Sequence, residues 1–507
     1  VLTLLTGCGS HVNAPAENSS AAGASPEAES SYAVPALRLA GGTDWGMPSP
    51  YLNVSRGPGQ AKMRLVFASL LEKDESGDVP WLAESWSFEG NDYSFTLFEG
   101  QSFHDGQPLT TEDIAFTIDY YREHPPITNT LGAGDAFIID SYSVIDERSI
   151  CITVSEATAD TLSSLGGFVI LPKHIWEEVE DPYTFNDPAC LVGSGAYRCT
   201  AYDSATGSYE FTAFEGWVNG KQAAEKIQFV PVSDELLAFE NGEIDITSMP
   251  ADLAEKYMND PAIGLVEKAN DLGYKLLVNF EKRPELLELS LRQAIYAAID
   301  RQAIVDKVFR GMGTVGSAGY VPVSSLFYNE DVVKYDYDPE AAKAALSGLG
   351  LSVELLTDDS SDSLNVSELV KNNLEAAGVS VQVTALDSAS RDQRINSGDY
   401  EFAIVSNGGW GNNPPTYMRT IFSDISKNSG GNPHSMGPIG YSNEEITRLA
   451  EAQMYETDFE ARKQMFKELE YLVSVEIPLF VLGNQSSYAM YRLSLIHISE
   501  PTRRRGI

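Results

Sequence analysis

The chain is short of basic residues, cysteine and histidine, and these shortages exclude several classes of function. Thirty-five lysines and arginines face 73 aspartates and glutamates, a formal charge of −38 over 507 residues. So acidic a surface repels phosphate backbones, which excludes nucleic acid as a partner. The four cysteines and six histidines form no CxxC, no HExxH and no Cys/His set at zinc spacing, so no metal or other cofactor is implied. There is no G-x-S-x-G turn and no Walker A loop. Gly193-Ser194-Gly195-Ala196-Tyr197 lacks a following Lys-Ser/Thr and reads as a plain turn into a strand. No apolar run approaches the ~20 residues that a spanning helix needs. What remains is a body of about 460 residues, enough for two or three domains.

The two ends differ from that body. Leu5-Thr6-Gly7-Cys8, behind apolar Val1-Leu2-Thr3-Leu4, resembles the close of a bacterial lipoprotein signal. Residues 1–8 are therefore expected to be a truncated signal, with Cys8 the lipidated residue. Residues 9–33 are Ser, Ala, Glu, Pro and Gly with almost no large apolar side chain, the composition of a disordered tether. A lipid anchor and a tether imply an extracytoplasmic protein held at the cell membrane, either periplasmic or on the outer surface. At the other end, Leu493 to Arg503 matches, codon by codon, a translated sequencing adapter, and the frame continues through Ile507. Residues 493–507 are therefore set aside as an artefact.

Within the body, Ala36–Ala40 and Tyr93–Phe98 read as strands. Thr110 caps a helix from Thr111 to about Glu123, with Asp113 in its first turn. Ser143–Ile145 and Ile150–Val154 form a hairpin across Asp146-Glu147. Leu289–Ile299 has helical spacing, and Asp300 caps a second helix that stops at Gly311. Asp338-Pro339 opens another, to about Leu346. A regular alternation follows: strand Val353–Thr357, helix Asn365–Ala377, strand Val379–Ala385, helix Ala389–Asn396, strand Phe402–Ser406. That order predicts βαβ units and a parallel sheet. Ser442 and Thr457 stand as capping boxes with Glu445 and Glu460, and Ile477–Val481 reads as a closing strand.

In open α/β sheets ligands sit beyond the carboxyl ends of strands. The loops leaving those ends are Asp358–Ser363 and Asn407–Pro414. The second offers glycines, the Trp410 indole and the amides of Asn407, Asn412 and Asn413. From the pattern alone it is equally well an ordinary surface loop. Cys190 and Cys199 are spaced to close a short disulfide, two separate buried thiols being the equal alternative.

Val79-Pro80-Trp81-Leu82-Ala83-Glu84-Ser85-Trp86 and Phe103-His104-Asp105-Gly106 through Thr111-Glu112-Asp113 resemble the family 5 extracellular solute-binding proteins of ABC importers. So do Leu171-Pro172-Lys173-His174, Asn241-Gly242-Glu243-Ile244-Asp245, Leu291-Arg292-Gln293-Ala294-Ile295, Tyr337-Asp338-Pro339 and Glu476-Ile477-Pro478. The motifs run in family order from about Leu37 to Arg492. The resemblance implies an α/β, two-lobed periplasmic-binding-protein-like fold with an interlobe ligand cleft. Lobe I would comprise 34–64, 193–271 and 475–492, with 65–192 as an extra subdomain, and lobe II would be 272–474. It implies a solute carrier that delivers to a membrane permease, is monomeric and is not an enzyme. The rival class, a secreted hydrolase using two carboxylates, has no particular pair to support it. His104, Asp105, Glu112 and Arg292 are read as structural.

The resemblance also implies ligand contacts at Asp44, Trp45, Asn279, Asn407, Trp410, Asn412 and Asn413. Peptide-binding members resemble one another in an Asp-Pro pair after the cleft tryptophan, where this chain has Asn412-Asn413-Pro414. An amide cannot supply that charge-assisted bond, which leaves Asp44 or Asp358 as substitutes. His434, in a Pro-His-Ser stretch, is similar to the histidine that contacts a chelate in nickel-binding relatives. A small peptide is the first expectation for the ligand and a metal chelate the second.

Overall fold

The structure is a computed structural model that describes residues 32–54, 57–74, 77–133, 136–250, 253, 255–408, 414–422, 437–456 and 458–495. The chain divides into two compact units. Among the described residues, the first holds the chain up to Thr247, with Asp260–Gly264 and the stretch from Met490 to Leu495. The second holds Ser248–Asn259 and Leu265–Ala489.

In the first unit, strand β1 (Val34–Gly41) leads, and a separate antiparallel layer follows. That layer consists of β2 (Ala83–Glu89), β3 (Asp92–Leu97), β4 (Ile139–Val144) and β5 (Ser149–Val154), in the order β2-β3-β5-β4. Tyr93, Phe95 and Leu97 alternate inward on β3, as do Ile150, Ile152 and Val154 on β5. With one face buried, that period of two fixes the register. Helix Thr111–Glu123 buries Ile114, Ile118 and Tyr121 in the same core. Its N-terminus is tied twice. Asp113 Oδ2 accepts from Thr110 N at 2.9 Å, and Oδ1 accepts from Lys173 N at 3.0 Å.

The chain then returns to the first sheet with β6 (Tyr197–Asp203), β7 (Ser208–Ala213) and β8 (Ala224–Pro231). β6 and β7 pair antiparallel, as do β7 and β8, while β8 and β1 pair parallel in the register Leu37↔Ile227. Among the described residues β6 is an edge strand. Gly195 must be glycine, because a Cβ there would stand 2.4 Å from Leu65 O.

The second unit has a sheet covered on both faces. It uses β9 (Ile263–Val278), β10 (Ser352–Asp358), β11 (Ser380–Leu386), β12 (Phe402–Gly408) and β13 (Phe480–Arg492). β10 is parallel to both β11 and β12, and β12 is antiparallel to β9. Alternate residues feed two cores. Leu276, Val278, Leu355 and Ile404 meet helices Leu289–Ala298 and Ser361–Ala376 on one face. Leu277, Leu356, Ala403 and Val405 meet Pro414–Phe422, Glu444–Ala452 and Phe459–Glu476 on the other. Burial on both sides explains the near-continuous apolar runs of these strands.

Several expected ends move. The helix capped by Asp300 stops at Lys307, and Arg310 and Gly311 both take positive φ. The caps of the last two long helices are Asn443 and Asp458, one residue beyond Ser442 and Thr457. Asn and Asp are at least as good at accepting the free amides of a first turn as Ser and Thr. Ile477 is a left-handed C-cap, so the closing strand starts at Phe480 and runs to Arg492. Leu493–Leu495 adds one 3-10 turn, with Leu493 N donating to Ala262 O.

Candidate functional site

The chain leaves β1 at Gly41 and turns through Asp44-Trp45-Gly46, where Gly46 takes φ +77°. The turn is held by two phenols from the neighbouring strands. Tyr202 OH donates to Asp44 Oδ1 at 2.7 Å. Gly46 N donates to the same oxygen at 2.9 Å, and Tyr209 OH lies 3.2 Å from it. Tyr209 OH in turn accepts from Trp45 N at 2.8 Å. The two phenol rings stack at 5.0 Å, and Trp45 is half-buried against the first unit's core. Asp44 itself is exposed, and its second oxygen, Oδ2, has no partner among the described residues. Burial pulls the carboxyl upward, but the bonds from Tyr202, Gly46 and Tyr209 outweigh it and hold the group below the ordinary aspartate value. An ionised carboxylate with one oxygen free, beside stacked aromatic rings, is suited to a cationic group.

Under this turn lies Lys62, which the sequence gave no reason to single out. Its Nζ sits 3.8 Å from the Phe229 ring centroid and 5.0 Å from that of Tyr209. Only 4% of the residue is exposed, and burial pushes its ammonium down to about 8. Tyr202 and Tyr209 were missed as well. The inward alternation of Tyr209, Phe211 and Ala213 on β7 was the signal that could have found Tyr209.

Other expected contacts resolve differently. Asn279 is consumed by the backbone. Its Nδ2 donates to Gly398 O at 3.0 Å, and its Oδ1 accepts from Glu281 N at 3.0 Å and Lys282 N at 3.3 Å. It is a buried turn clamp, with one amide N–H beyond these three bonds. Asp358 is equally committed. It accepts from Ser360, from Ser363 Oγ at 3.0 Å and from Arg391 Nη1 at 2.8 Å. The second half of the loop expected to leave its strand is already helix, which begins at Ser361. Cys190 and Cys199 are free thiols. Cys190 Sγ faces Met47 Sδ at 3.2 Å, while Cys199 Sγ points to Ala201 O at 3.6 Å, so the two side chains are engaged apart. Asn407 lies at the end of β12, its backbone in register with Gly273. Trp410, Asn412, Asn413, His434 and Cys8 lie outside the described residues.

The residues read as structural are bound as such. His104 is buried, its Nε2 2.9 Å from Gly195 O and its Nδ1 accepting from Gly193 N at 3.3 Å, and burial pushes its pKa down to about 4. Asp105 pairs with His174 Nε2 at 2.7 Å. Arg292 donates to the carbonyls of Leu286, Leu287 and Glu476 and to the Glu476 carboxylate.

Residues 79–429 match the family model described as bacterial extracellular solute-binding proteins, family 5 Middle. The chain belongs to this family. Two curated relatives are the heme-binding protein A of Haemophilus influenzae, 25% identical over 87% of this chain and 85% of the relative, and the dipeptide-binding protein of Escherichia coli, 24% identical over 82% of each. Among solved structures, the fold is similar to a putative peptide binding protein, AppA, from Clostridium difficile. Its TM-score is 0.75 at 20% identity, covering 90% of this chain and 94% of that one. It is also similar to NikZ from Campylobacter jejuni in complex with Ni(L-His), TM-score 0.72 at 19% identity, covering 91% and 94%. This family 5 protein is therefore a substrate-binding component of an ABC importer class and not a hydrolase. Such components act outside the cytoplasm. No helix among the described residues is long and apolar enough to cross a membrane.

Proposed function

We propose that this family 5 protein captures a small peptide, with the ligand's ammonium group paired to Asp44, and delivers it to a membrane permease. The observation that carries the reading is the Asp44 carboxylate, ionised and with Oδ2 uncommitted, over the Tyr202–Tyr209 stack. It supplies the negative charge that Asn412 and Asn413 cannot. The relatives whose names carry peptides support the same choice. The similarity to NikZ in complex with Ni(L-His) supports a metal chelate as the second reading. Lipid attachment through Cys8 and a monomeric working form belong to the same proposal.

Native mass spectrometry of the purified protein would reveal what it carries. In titrations with a free-amine tripeptide, Asp44→Asn should weaken binding by roughly tenfold or more, the worth of a charge-assisted hydrogen bond. Acetylating the peptide amine should cost the wild type a similar factor and the variant little. An unchanged dissociation constant in Asp44→Asn would reject Asp44 as the ammonium partner. Trp410→Ala should weaken the same ligand by roughly 5- to 150-fold, the usual cost of losing an aromatic anchor. Equal affinities there would remove Trp410 from the site.

A further inference from the structure

A groove of about 460 Å³ runs along the edge strand β6 in the first unit. Its walls include Met47, His104, Asp105, Asn186, Arg198 and Tyr202. The ionisable groups on these walls differ in what they already do. His104 has both ring nitrogens occupied and is held neutral by burial. Asp105 is paired with His174. Tyr202 is donated to Asp44. Arg198 stands apart. Its guanidinium lies 4.7 Å over the Phe214 ring and has no carboxylate partner among the described residues.

In a chain whose acids outnumber its bases by 73 to 35, Arg198 shares that lack with Arg122, Arg301 and Arg492, whose guanidiniums instead donate to backbone carbonyls. Arg38, Arg64, Arg148, Arg283, Arg391 and Arg394 each hold a carboxylate within 3.3 Å. A guanidinium held over a ring face by its carbon still has N–H groups at its edge, and these can take a carboxylate in two parallel bonds. The groove therefore presents one uncommitted cation and no uncommitted anion. Asn186 on its wall adds amide donors.

We infer that this groove is an anion subsite in which Arg198 receives a carboxylate of the bound solute, favouring peptides with an acidic side chain. The inference rests on the peptide reading above and deepens it. Tyr202 lines the groove and touches Asp44, so the proposed ammonium partner borders the groove that holds Arg198. A ligand carrying both charges would be held at both ends within the first unit.

The test uses the whole protein and a tetrapeptide library in which one position is either glutamate or glutamine, read by titration and by native mass spectrometry. The wild type should bind the best glutamate peptide about tenfold or more tightly than its glutamine partner, the scale of a charge-assisted hydrogen bond. Arg198→Gln should abolish that preference, and Arg198→Lys should retain part of it. Salt should weaken the glutamate peptides more than their glutamine partners, which keep only the ammonium pair with Asp44. If the wild type binds peptides without preferring glutamate, the anion subsite is wrong and the peptide reading stands. The same holds if Arg198→Gln keeps the preference. If no library peptide binds while a nickel chelate does, the peptide reading itself is wrong and the inference falls with it.

Discussion

Replacing Arg391 by alanine should cost the second unit about 3–5 kcal/mol, the loss expected when one partner of a buried ion pair is removed. Arg391 sits on helix Ser388–Asn396, and its Nη1 reaches Asp358 Oδ2 at 2.8 Å, with only 8% and 5% of the two side chains exposed. Asp358 ends β10 and starts the next helix, binding Ser360 and Ser363 as it does so. Burial alone would raise this carboxyl, but the bonds from Ser360 and Ser363 and the charge of Arg391 hold it below its ordinary value. A depressed folded-state value means that its stabilisation is present at neutral pH and disappears as pH falls through that lower value. Without Arg391 the carboxylate stays buried with its main counter-charge gone. Urea unfolding followed by circular dichroism at pH 7 would measure the loss. A double replacement, Asp358→Leu with Arg391→Met, should cost much less, because no charge is stranded. A loss below about 1 kcal/mol in Arg391→Ala would show that water reaches the pair and that Asp358 is less enclosed than its surroundings indicate.

The contrast between Asp358 and Asp44 shows where sequence reading stops. Both were acids near strand ends and both could have met an ammonium group. Only coordinates show that one is saturated by Ser360, Ser363 and Arg391 while the other keeps an oxygen free. Regular elements were far more legible. The alternation from Val353 to Ser406 is a local signal, and the parallel sheet β11-β10-β12 follows from it. Asp300 and Asp338 cap the helices assigned to them, because capping acts over three residues. Two of the four points at which the chain changes unit fall inside the long strands β9 and β13. The clamp that Asn279 makes was not legible: its bond to Gly398 joins segments 119 residues apart, and nothing in a local window distinguishes a turn clamp from a ligand amide.

Lys62→Met should make the protein more stable at pH 7, by about 2–3 kcal/mol. Helix Gly57–Val66 drives this ammonium into the first unit against Phe229 and Tyr209, with no acid partner among the described residues. The two ring faces recover some of the lost hydration, but burial still pushes the group down to about 8. The sign follows from that value. Below pH 8 the lysine is charged in both folded and unfolded chains, and the cost of burying the charge is paid in full. Between pH 8 and the ordinary lysine value, the unfolded chain holds more protons than the folded one, so this residue's contribution to stability rises with pH. Methionine keeps the length and packing of the stem and removes the charge. The gap between variant and wild type in urea unfolding should therefore be widest at pH 7 and should shrink steadily towards pH 10. Buried tyrosines titrate in both proteins at the alkaline end and cancel in the comparison. A variant less stable than the wild type at pH 7 would mean that the Phe229 and Tyr209 faces bind the ammonium more strongly than water does. A gap that stays constant from pH 7 to 10 would mean that Lys62 does not titrate there and that its surroundings hold the charge as well as water does.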